Sequence, residues 1–226
     1  MSFILSFTIN GGIVMAADNA RSTYTNNTWI VENNFRKLYV TAHNIGISIG
    51  GDVFTEIGIP ILTLLNQFID NYGISLYTPI QTAQTLLNFI RSFDTKKKFI
   101  FHISGYEIKD NIPIPQIFRI VTQENKIKLV NEKLSTPTLK WDAGNESPKL
   151  FLEKAYDYNV WVSMKRAKEF VKFIFKACSD ISLQREGART IGENPDLLSI
   201  QLFNHVWINK NDLGDNICLN TMATLN

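Results

Sequence analysis

The sequence has few cysteines, no long apolar run and almost no excess of charge. Its two cysteines, Cys178 and Cys218, lack metal-ligand spacing and are too few for a disulfide framework, so we expect a reduced, cytoplasmic protein. No run of about eighteen uncharged apolar residues occurs, which argues against a membrane-spanning helix. The net charge of +2 is too small to indicate binding to nucleic acid.

Internal repeats, low-complexity tracts and linker-like shifts of composition are also missing. With 226 residues, 45% of them apolar, we therefore expect a single domain over residues 1–226 that buries one core. No basic segment precedes the first apolar run, so that run does not resemble a signal peptide. The three histidines, His43, His102 and His205, have no metal-ligand spacing and are interpreted as structural.

What the sequence does contain is an apolar alternation that begins at once and predicts a first strand over residues 3–9. Asn10-Gly11 is a strong hairpin signal, because both positions of a type I′ turn need a positive φ. A second strand is predicted from Ile13 to Ala17, and it ends at Asp18. Because termini normally fray, a terminus tethered directly to a sheet suggests that the terminus itself is used.

Beyond this hairpin, strands and helix pairs are predicted in alternation. Residues 19–28 are predicted to form a polar loop. A helix is predicted from Asp52 to about Tyr72, bent by Gly58 and Pro60, and Thr78-Pro79 marks the start of the next helix. Further strands are predicted at 29–31, 37–40, 44–51, 98–106, 116–122, 126–130, 139–141, 197–208 and 216–222, and further helices at 148–156 and 163–181. Two helix pairs that cover two stacked sheets make an α+β fold, a four-layer α/β/β/α sandwich.

The start of the chain also carries a chemical possibility. Met1 is normally removed when a small residue follows, and its removal leaves the Ser2 hydroxyl beside a free α-amine. A serine hydroxyl is a weak nucleophile that needs a neighbouring base. An α-amine titrates near ~8, so a modest electrostatic influence makes it a competent base near neutral pH. A lysine supplies that influence and a carboxylate holds the lysine; Lys37 and Asp18 are the candidates.

Five motifs occur in collinear order along nearly the whole chain: SFILSFTINGGIVMAADNARS, FRKLYV, IGISIGGD, DAGNESPKLFLEKAYD and ARTIGENPDLL. The first combines an N-terminal serine with a hairpin that ends in Ala-Ala-Asp, and sixteen positions separate Ser2 from Asp18. In this order, the motifs resemble the proteasome β-type family of N-terminal-nucleophile hydrolases. They are most similar to the bacterial HslV and Anbu-type homologues.

This resemblance implies roles for the residues that match the family's motifs. Ser2 is then the nucleophile, Asp18 and Lys37 tune its α-amine, and the backbone N–H of Gly50 stabilises the oxyanion. The interval from Asp18 to Lys37 is longer than is usual in the family, so the intervening loop must bulge. An alternative register puts Asn34 at the lysine position, and the cation that tunes the α-amine would then be missing.

Three further site residues follow from the resemblance alone. Ser147 is the supporting hydroxyl in an altered Gly-Asn-Glu-Ser motif. The family's second aspartate corresponds to Asp180, with Glu186 as the alternative. Ser48, two residues before Gly50, is small and implies a roomy specificity pocket.

The function implied by the resemblance is that of a self-compartmentalising endopeptidase or amidase of the threonine-peptidase type, needing neither metal nor cofactor. Its substrate is a peptide or unfolded protein, and the subunits are homo-oligomers in rings or stacked helical rings. Whether an ATPase partner acts with the protein stays open. Two alternatives also stay open: a non-catalytic, proteasome-like structural subunit, and an N-terminal-nucleophile amidase that acts on a small molecule.

Overall fold

The computed structural model describes residues 2–9, 11–33, 35–94, 96–130, 138–144, 146–152 and 163–209. The strands are β1 (Phe3–Ile9), β2 (Gly12–Ala17), β3 (Arg21–Thr25), β4 (Thr28–Glu32), β5 (Leu38–Val40), β6 (Gly46–Gly51), β7 (Phe99–Lys109), β8 (Ile112–Val121), β9 (Lys126–Leu129), β10 (Leu139–Ala143), β11 (Asp196–Gln201) and β12 (Asn204–Asn209). The helices are α1 (Ile61–Tyr72), α2 (Pro79–Phe93), α3 (Ser147–Leu152) and α4 (Met164–Glu186). None of these helices is long and apolar enough to cross a membrane.

Two five-stranded antiparallel sheets form the centre of the fold. One has the order β10-β1-β2-β11-β12 and the other the order β5-β6-β7-β8-β9. Helices α3 and α4 pack on the first sheet, and α1 and α2 pack on the second. Between the sheets lies an apolar layer to which both contribute, including Ile4 and Met15 from the first and Leu38, Ile100 and Ile117 from the second. The predicted four-layer α/β/β/α sandwich is therefore confirmed.

Strand β1 shows why the alternation at the start of the sequence forms a central strand. Phe3, Leu5 and Phe7 are fully buried against the α3–α4 layer, and the ring of Phe3 stacks on that of Phe175 in α4, with centroids 4.3 Å apart. Ile4 points the other way, into the layer between the sheets. Because side chains alternate along a strand, the same seven residues serve two cores. Gly11, in the turn that follows, has a φ of +90°.

A buried polar network also joins the two sheets. The His102 ring on β7 lies between Ser6 on β1 and Asp142 on β10, with Nδ1 3.1 Å from the Ser6 Oγ and Nε2 2.9 Å from the Asp142 Oδ2. A carboxylate only accepts hydrogen bonds, so in the neutral ring Nε2 donates to it and Nδ1 accepts from the hydroxyl. Arg119 on β8 donates to both oxygens of the same carboxylate, at 2.8 and 2.7 Å. Each sheet thus holds polar atoms that pair with groups of the other sheet.

The ends of two helices follow from their sequences. Thr78 caps α2 by accepting from the Gln81 N–H, and Pro79 follows at the first helical position, as predicted. Helix α4 runs to Glu186, past the predicted end at residue 181, and stops at Gly187 in the left-handed conformation with φ +70°.

Three predicted elements were wrong. The helix predicted from Asp52 begins only at Ile61, because Pro60 has an extended backbone (ψ 132°) at its N-cap and Gly58 has a φ of +83°. The predicted polar loop at 19–28 contains β3, which pairs with β4 around Asn26-Asn27, both with positive φ. The predicted strand at 197–208 is the hairpin of β11 and β12, and the strand predicted at 216–222 lies outside the described residues.

Candidate active site

Asp18 lies at the end of β2 and organises the backbone around it. The β1–β2 hairpin pairs Ala17 with Ile4, so the next residue comes to lie beside the start of β1. The fully buried carboxylate accepts hydrogen bonds from the backbone N–H groups of Phe3 at 2.7 Å, Ala20 at 3.2 Å and Gly192 at 3.4 Å. Three backbone amides thus converge on this buried carboxylate, which satisfies its hydrogen-bonding capacity away from water.

Lys37, immediately before β5, completes the surroundings of this carboxylate. Its ammonium lies 3.0 Å from Oδ1 and 3.1 Å from Oδ2 of Asp18, and it also donates to the carbonyl of Ala20. Both side chains are buried, with 7% and 0% of their surfaces exposed. The long interval between the two residues is accommodated by the β3–β4 hairpin. Asn34, the alternative at this position, lies outside the described residues.

Ser2 lies next to this pair. It is 7% exposed, its carbonyl accepts from the Gly144 N–H at 2.9 Å, and the next amide along the chain is the one that Asp18 binds. One Asp18 oxygen therefore contacts both the Phe3 amide and the Lys37 ammonium.

These residues open onto a cleft of about 330 Å³, part of it open solvent. Ser2, Lys37, Gly50 and Gly51 line its base, and apolar side chains, among them Ile49, Val53, Ile61 and Leu62, form a wall. Arg21 and Asp52 add charged groups. Among the described residues, no group of three or more His, Cys, Asp or Glu side chains could hold a metal ion.

The backbone direction along β6 decides which N–H faces this cleft. Ile49 donates its N–H to the Lys37 carbonyl at 3.0 Å, on the side where β5 lies. Successive N–H groups of an extended strand point to alternate sides, so the Gly51 N–H faces the same side as that of Ile49. Strand β5 begins at Leu38, opposite Ser48, so it does not extend alongside Gly51. The Gly51 N–H therefore points toward the cleft.

Gly50, the predicted oxyanion donor, has the opposite orientation. It pairs with Ile100 on β7, and two residues later the Asp52 N–H donates to the Lys98 carbonyl at 2.9 Å on that same side. The Gly50 N–H is thus directed into the sheet. A Cβ added to Gly50 would lie 3.6 Å from the Ser2 Cβ, so the residue adjoins Ser2, although the strand pairing directs the Gly51 N–H rather than the Gly50 N–H toward the cleft.

Comparisons of sequence find no similar protein, whereas comparisons of structure find several. No family profile and no curated protein sequence matches this chain. Among solved structures, a Gly-1 mutant of Anbu from Hyphomicrobium sp. strain MC1 superimposes with a TM-score of 0.61 at 17% identity, covering 94% of this chain and 89% of that one. Anbu from Yersinia bercovieri, described as an ancestral beta-subunit, matches with a TM-score of 0.62 at 12% identity, covering 92% and 87%. A second Anbu structure from the Hyphomicrobium strain gives 0.59 at 15%, covering 93% and 89%.

The chain has the Anbu fold. The resemblance to the proteasome β-type family, and to its HslV- and Anbu-type members, is thereby confirmed at the level of the fold. At identities of 12–17% the similarity concerns architecture, and the chemistry of the site depends on this chain's own residues.

The remaining predicted site residues lie at different distances from the cleft of this Anbu fold. Ser147 is buried at the start of α3, three residues beyond the Gly144 that binds the Ser2 carbonyl. Ser48 is fully buried in the sheet and does not line the cleft; the neighbouring Ile49 does.

Asp180 does not belong to the cleft. It lies on α4 with 40% of its side chain exposed, and it forms ion pairs with Lys176 at 3.2 Å and Arg189 at 3.4 Å. The alternative, Glu186 at the end of α4, accepts from the Thr190 hydroxyl at 2.6 Å. Asp180 is therefore not among the residues that line the cleft, because the helical register turns it toward solvent.

Three cleft or site residues were missed by sequence reasoning. The Gly51 N–H direction depends on strand pairing, and the Gly192 contact with Asp18 joins positions 174 apart in the chain. Arg21 lies in the segment predicted as a polar loop, whereas it is the first residue of β3. The one available signal was the ARTIGENPDLL motif, which contains Gly192 but does not show what its amide contacts.

The backbone of Gly51 makes a specific prediction about stability. Its φ is +97°, and a Cβ would lie 2.2 Å from the Lys98 carbonyl oxygen, so Gly51→Ala is expected to cost about 2 kcal/mol or more. Gly58→Ala is the matched control, because its φ is +83° with nothing within 4 Å, so only backbone strain of about 1 kcal/mol applies. Urea unfolding of both variants measures the difference. Equal losses would contradict the close approach at Gly51.

Proposed function

We propose that this protein is an N-terminal-nucleophile hydrolase that cleaves peptide bonds, with Ser2 as the nucleophile. The proposal requires that Ser2 be the first residue of the mature chain, so whatever precedes it must be removed. The observation that carries the proposal is the Asp18 carboxylate, which binds both the Phe3 amide beside Ser2 and the Lys37 ammonium. A buried ion pair often adds little net stability to a fold. Its position beside the cleft therefore favours a role in chemistry.

In the proposed reaction, the α-amine of Ser2 is the general base. It takes the proton from Oγ as Oγ attacks the carbonyl carbon, and it then gives that proton to the leaving amine. The Lys37 cation favours the neutral, basic form of the neighbouring amine by repulsion of like charges. Water, deprotonated by the same amine, hydrolyses the acyl-enzyme and restores the free hydroxyl.

The oxyanion of the tetrahedral intermediate needs a fixed donor. The Gly51 N–H is the best-placed backbone group of β6, because it points toward the cleft from an edge that β5 leaves open. A preorganised N–H of this type contributes more than the same group in water, since it does not reorient during the reaction.

An extended polypeptide fits this arrangement better than a compact amide, because β6 extends past β5 at Gly51, where an extended substrate can pair with the backbone. The Anbu fold further supports assembly of identical subunits into rings or stacked helical rings. Light scattering after size-exclusion chromatography tests that assembly.

The nucleophile is tested by the intact mass of the purified, untagged protein, with and without a peptide epoxyketone, which reacts with a hydroxyl and an α-amine on one residue. We expect a mass that begins at Ser2 and one adduct per chain. Ser2→Ala should give no adduct, whereas Ser75→Ala, at an exposed serine outside the cleft, should react like the unmodified protein.

A mature chain that retains residues before Ser2 would overturn the proposal, since no α-amine would then adjoin the hydroxyl. It would favour a non-catalytic subunit with the same fold. A correct N-terminus without any adduct would equally contradict a working nucleophile of this type.

A further inference from the structure

Arg21, the first residue of β3, places a guanidinium in the cleft that contains Ser2. The group lies over two aromatic rings, with Cζ 5.2 Å from the centroid of Phe35 and 4.8 Å from that of Phe54. Its side chain is 23% exposed. Contacts with two rings restrict the positions that the guanidinium can take.

The donors of this guanidinium are incompletely used. Nε is buried and has no hydrogen-bond partner among the residues that the structure describes. Nη1 lies 3.4 Å from the Glu32 carboxylate, whose side chain is 53% exposed, so this ion pair is long and solvated. Because Nε is shielded, a ligand in the cleft meets the exposed part of the guanidinium, whose ion pair with Glu32 is weak.

The other charged groups of the cleft already have partners. The Lys37 ammonium is bound by Asp18. Asp52, the acidic residue of the cleft, accepts the Lys98 N–H on Oδ2 at 2.7 Å. Among the described cleft residues, Arg21 is therefore the cation with capacity left for a ligand.

We propose that Arg21 selects substrates with a carboxylate on the residue whose carbonyl is attacked, that is, cleavage after aspartate or glutamate. This inference rests on the proposed function. The planar fork of a guanidinium binds a carboxylate through two parallel hydrogen bonds, and a lysine ammonium would not provide that geometry. The apolar wall at Val53 and Ile61 contacts the methylene groups of such a side chain.

The test measures labelling rates with three epoxyketone peptides that differ only in the residue beside the reactive group: glutamate, glutamine or leucine. We expect the glutamate peptide to label at least about tenfold faster than its neutral isostere. Arg21→Gln should bring the ratio of the two rates near one. Glu32→Gln, which leaves Arg21 in place and removes its competing carboxylate, should raise the ratio.

Arg36→Gln is the matched control. Arg36 also lies over an aromatic ring, that of Tyr39 at 4.8 Å, but it does not line the cleft. The ratio should keep its original value in this variant. Equal rates for the glutamate and glutamine peptides, or a ratio that Arg21→Gln and Glu32→Gln both leave unchanged, would overturn the proposal.

A second measurement separates this inference from the proposed function. Calorimetry on the Ser2→Ala variant compares binding of two unreactive peptide amides that end in glutamate or glutamine. If no epoxyketone labels any variant, the nucleophile proposal fails, yet tighter binding of the glutamate peptide still supports Arg21. Equal binding of the two peptides overturns the carboxylate preference whatever the labelling shows.

Discussion

Replacing Lys37 with methionine is expected to lower the rate of amide hydrolysis by about 10³-fold or more, and to destabilise the fold at the same time. The rate falls because the α-amine of Ser2 loses the neighbouring cation that keeps it a base, and general-base catalysis contributes about 10²–10⁴-fold. Stability falls because the fully buried Asp18 carboxylate loses the ammonium group that pairs with it. Breaking a buried ion pair in this way costs about 3–5 kcal/mol.

The double variant Asp18→Asn/Lys37→Met separates the two effects. It removes both buried charges, so much of the lost stability should return, and the coupling of the two substitutions should exceed about 1 kcal/mol. Hydrolysis should not return, because neither the cation nor its holder is present. Urea unfolding and the hydrolysis rate are measured on the unmodified protein, the two single variants Asp18→Asn and Lys37→Met, and the double variant.

Lys176→Met provides a matched control for the loss of a lysine from an ion pair. Lys176 pairs with Asp180 at 3.2 Å, but its side chain is 63% exposed, so its stability cost should stay within about 0.5 kcal/mol. A double variant that regains both stability and hydrolysis would show that the pair supports the fold and has no part in the chemistry.

The arrangement of Ser2 and Asp18 was predictable because it is local. A two-residue turn at Asn10-Gly11 sets the register of the β1–β2 hairpin, and the register places residue 18 opposite residue 3. The Asp18 N–H accordingly donates to the Phe3 carbonyl at 3.0 Å. The layer order was likewise readable, since it follows from the order of strands and helix pairs along the chain.

What the sequence could not show depends on pairing between distant segments. Which glycine of β6 faces the cleft depends on the alternation of hydrogen bonds with β5 and β7. The position of Arg21 depends on a hairpin whose turn uses two asparagines with positive φ, a conformation that is uncommon outside glycine. Phe54 and Ile57 have helical spacing with α1, yet they lie before Pro60 in irregular backbone.

The network between the sheets makes the fold sensitive to acid. Burial lowers the pKa of His102, despite the Asp142 carboxylate beside it, so the ring is neutral in the folded protein at neutral pH. Burial raises the pKa of Asp142, but the hydrogen bonds from His102 and the Arg119 guanidinium outweigh it and hold that pKa well below its usual range. Both groups therefore bind protons more readily after unfolding.

The sign of the pH dependence follows from these two directions. A group whose pKa is lower in the folded state stabilises the fold above its unfolded pKa and loses that contribution as the pH falls. For His102 the loss begins near pH ~6.5 on going down, at up to about 1.4 kcal/mol per pH unit. For Asp142 it begins near pH ~4. The free energy of unfolding should thus fall in two stages between neutral pH and about pH 3.

His102→Gln isolates the first stage, because a glutamine can donate to Asp142 and accept from Ser6 without titrating. At pH 8 we expect a moderate loss of about 1–2 kcal/mol from imperfect geometry. Between pH 6.5 and 5, however, the variant should lose stability more slowly than the unmodified protein. Urea unfolding at half-unit pH intervals measures both quantities.

His205→Gln is the control for this experiment, since burial also lowers the pKa of His205, which is about half buried and contacts the Asn44 side chain at 2.7 Å. Its effect on the slope should be smaller, because His205 is partly exposed whereas His102 is fully enclosed. If His205→Gln reduces the pH dependence of the free energy of unfolding and His102→Gln does not, the acid sensitivity originates at His205 on β12. The network of His102, Ser6 and Asp142 would then tolerate a charged imidazolium, which conflicts with the burial of His102.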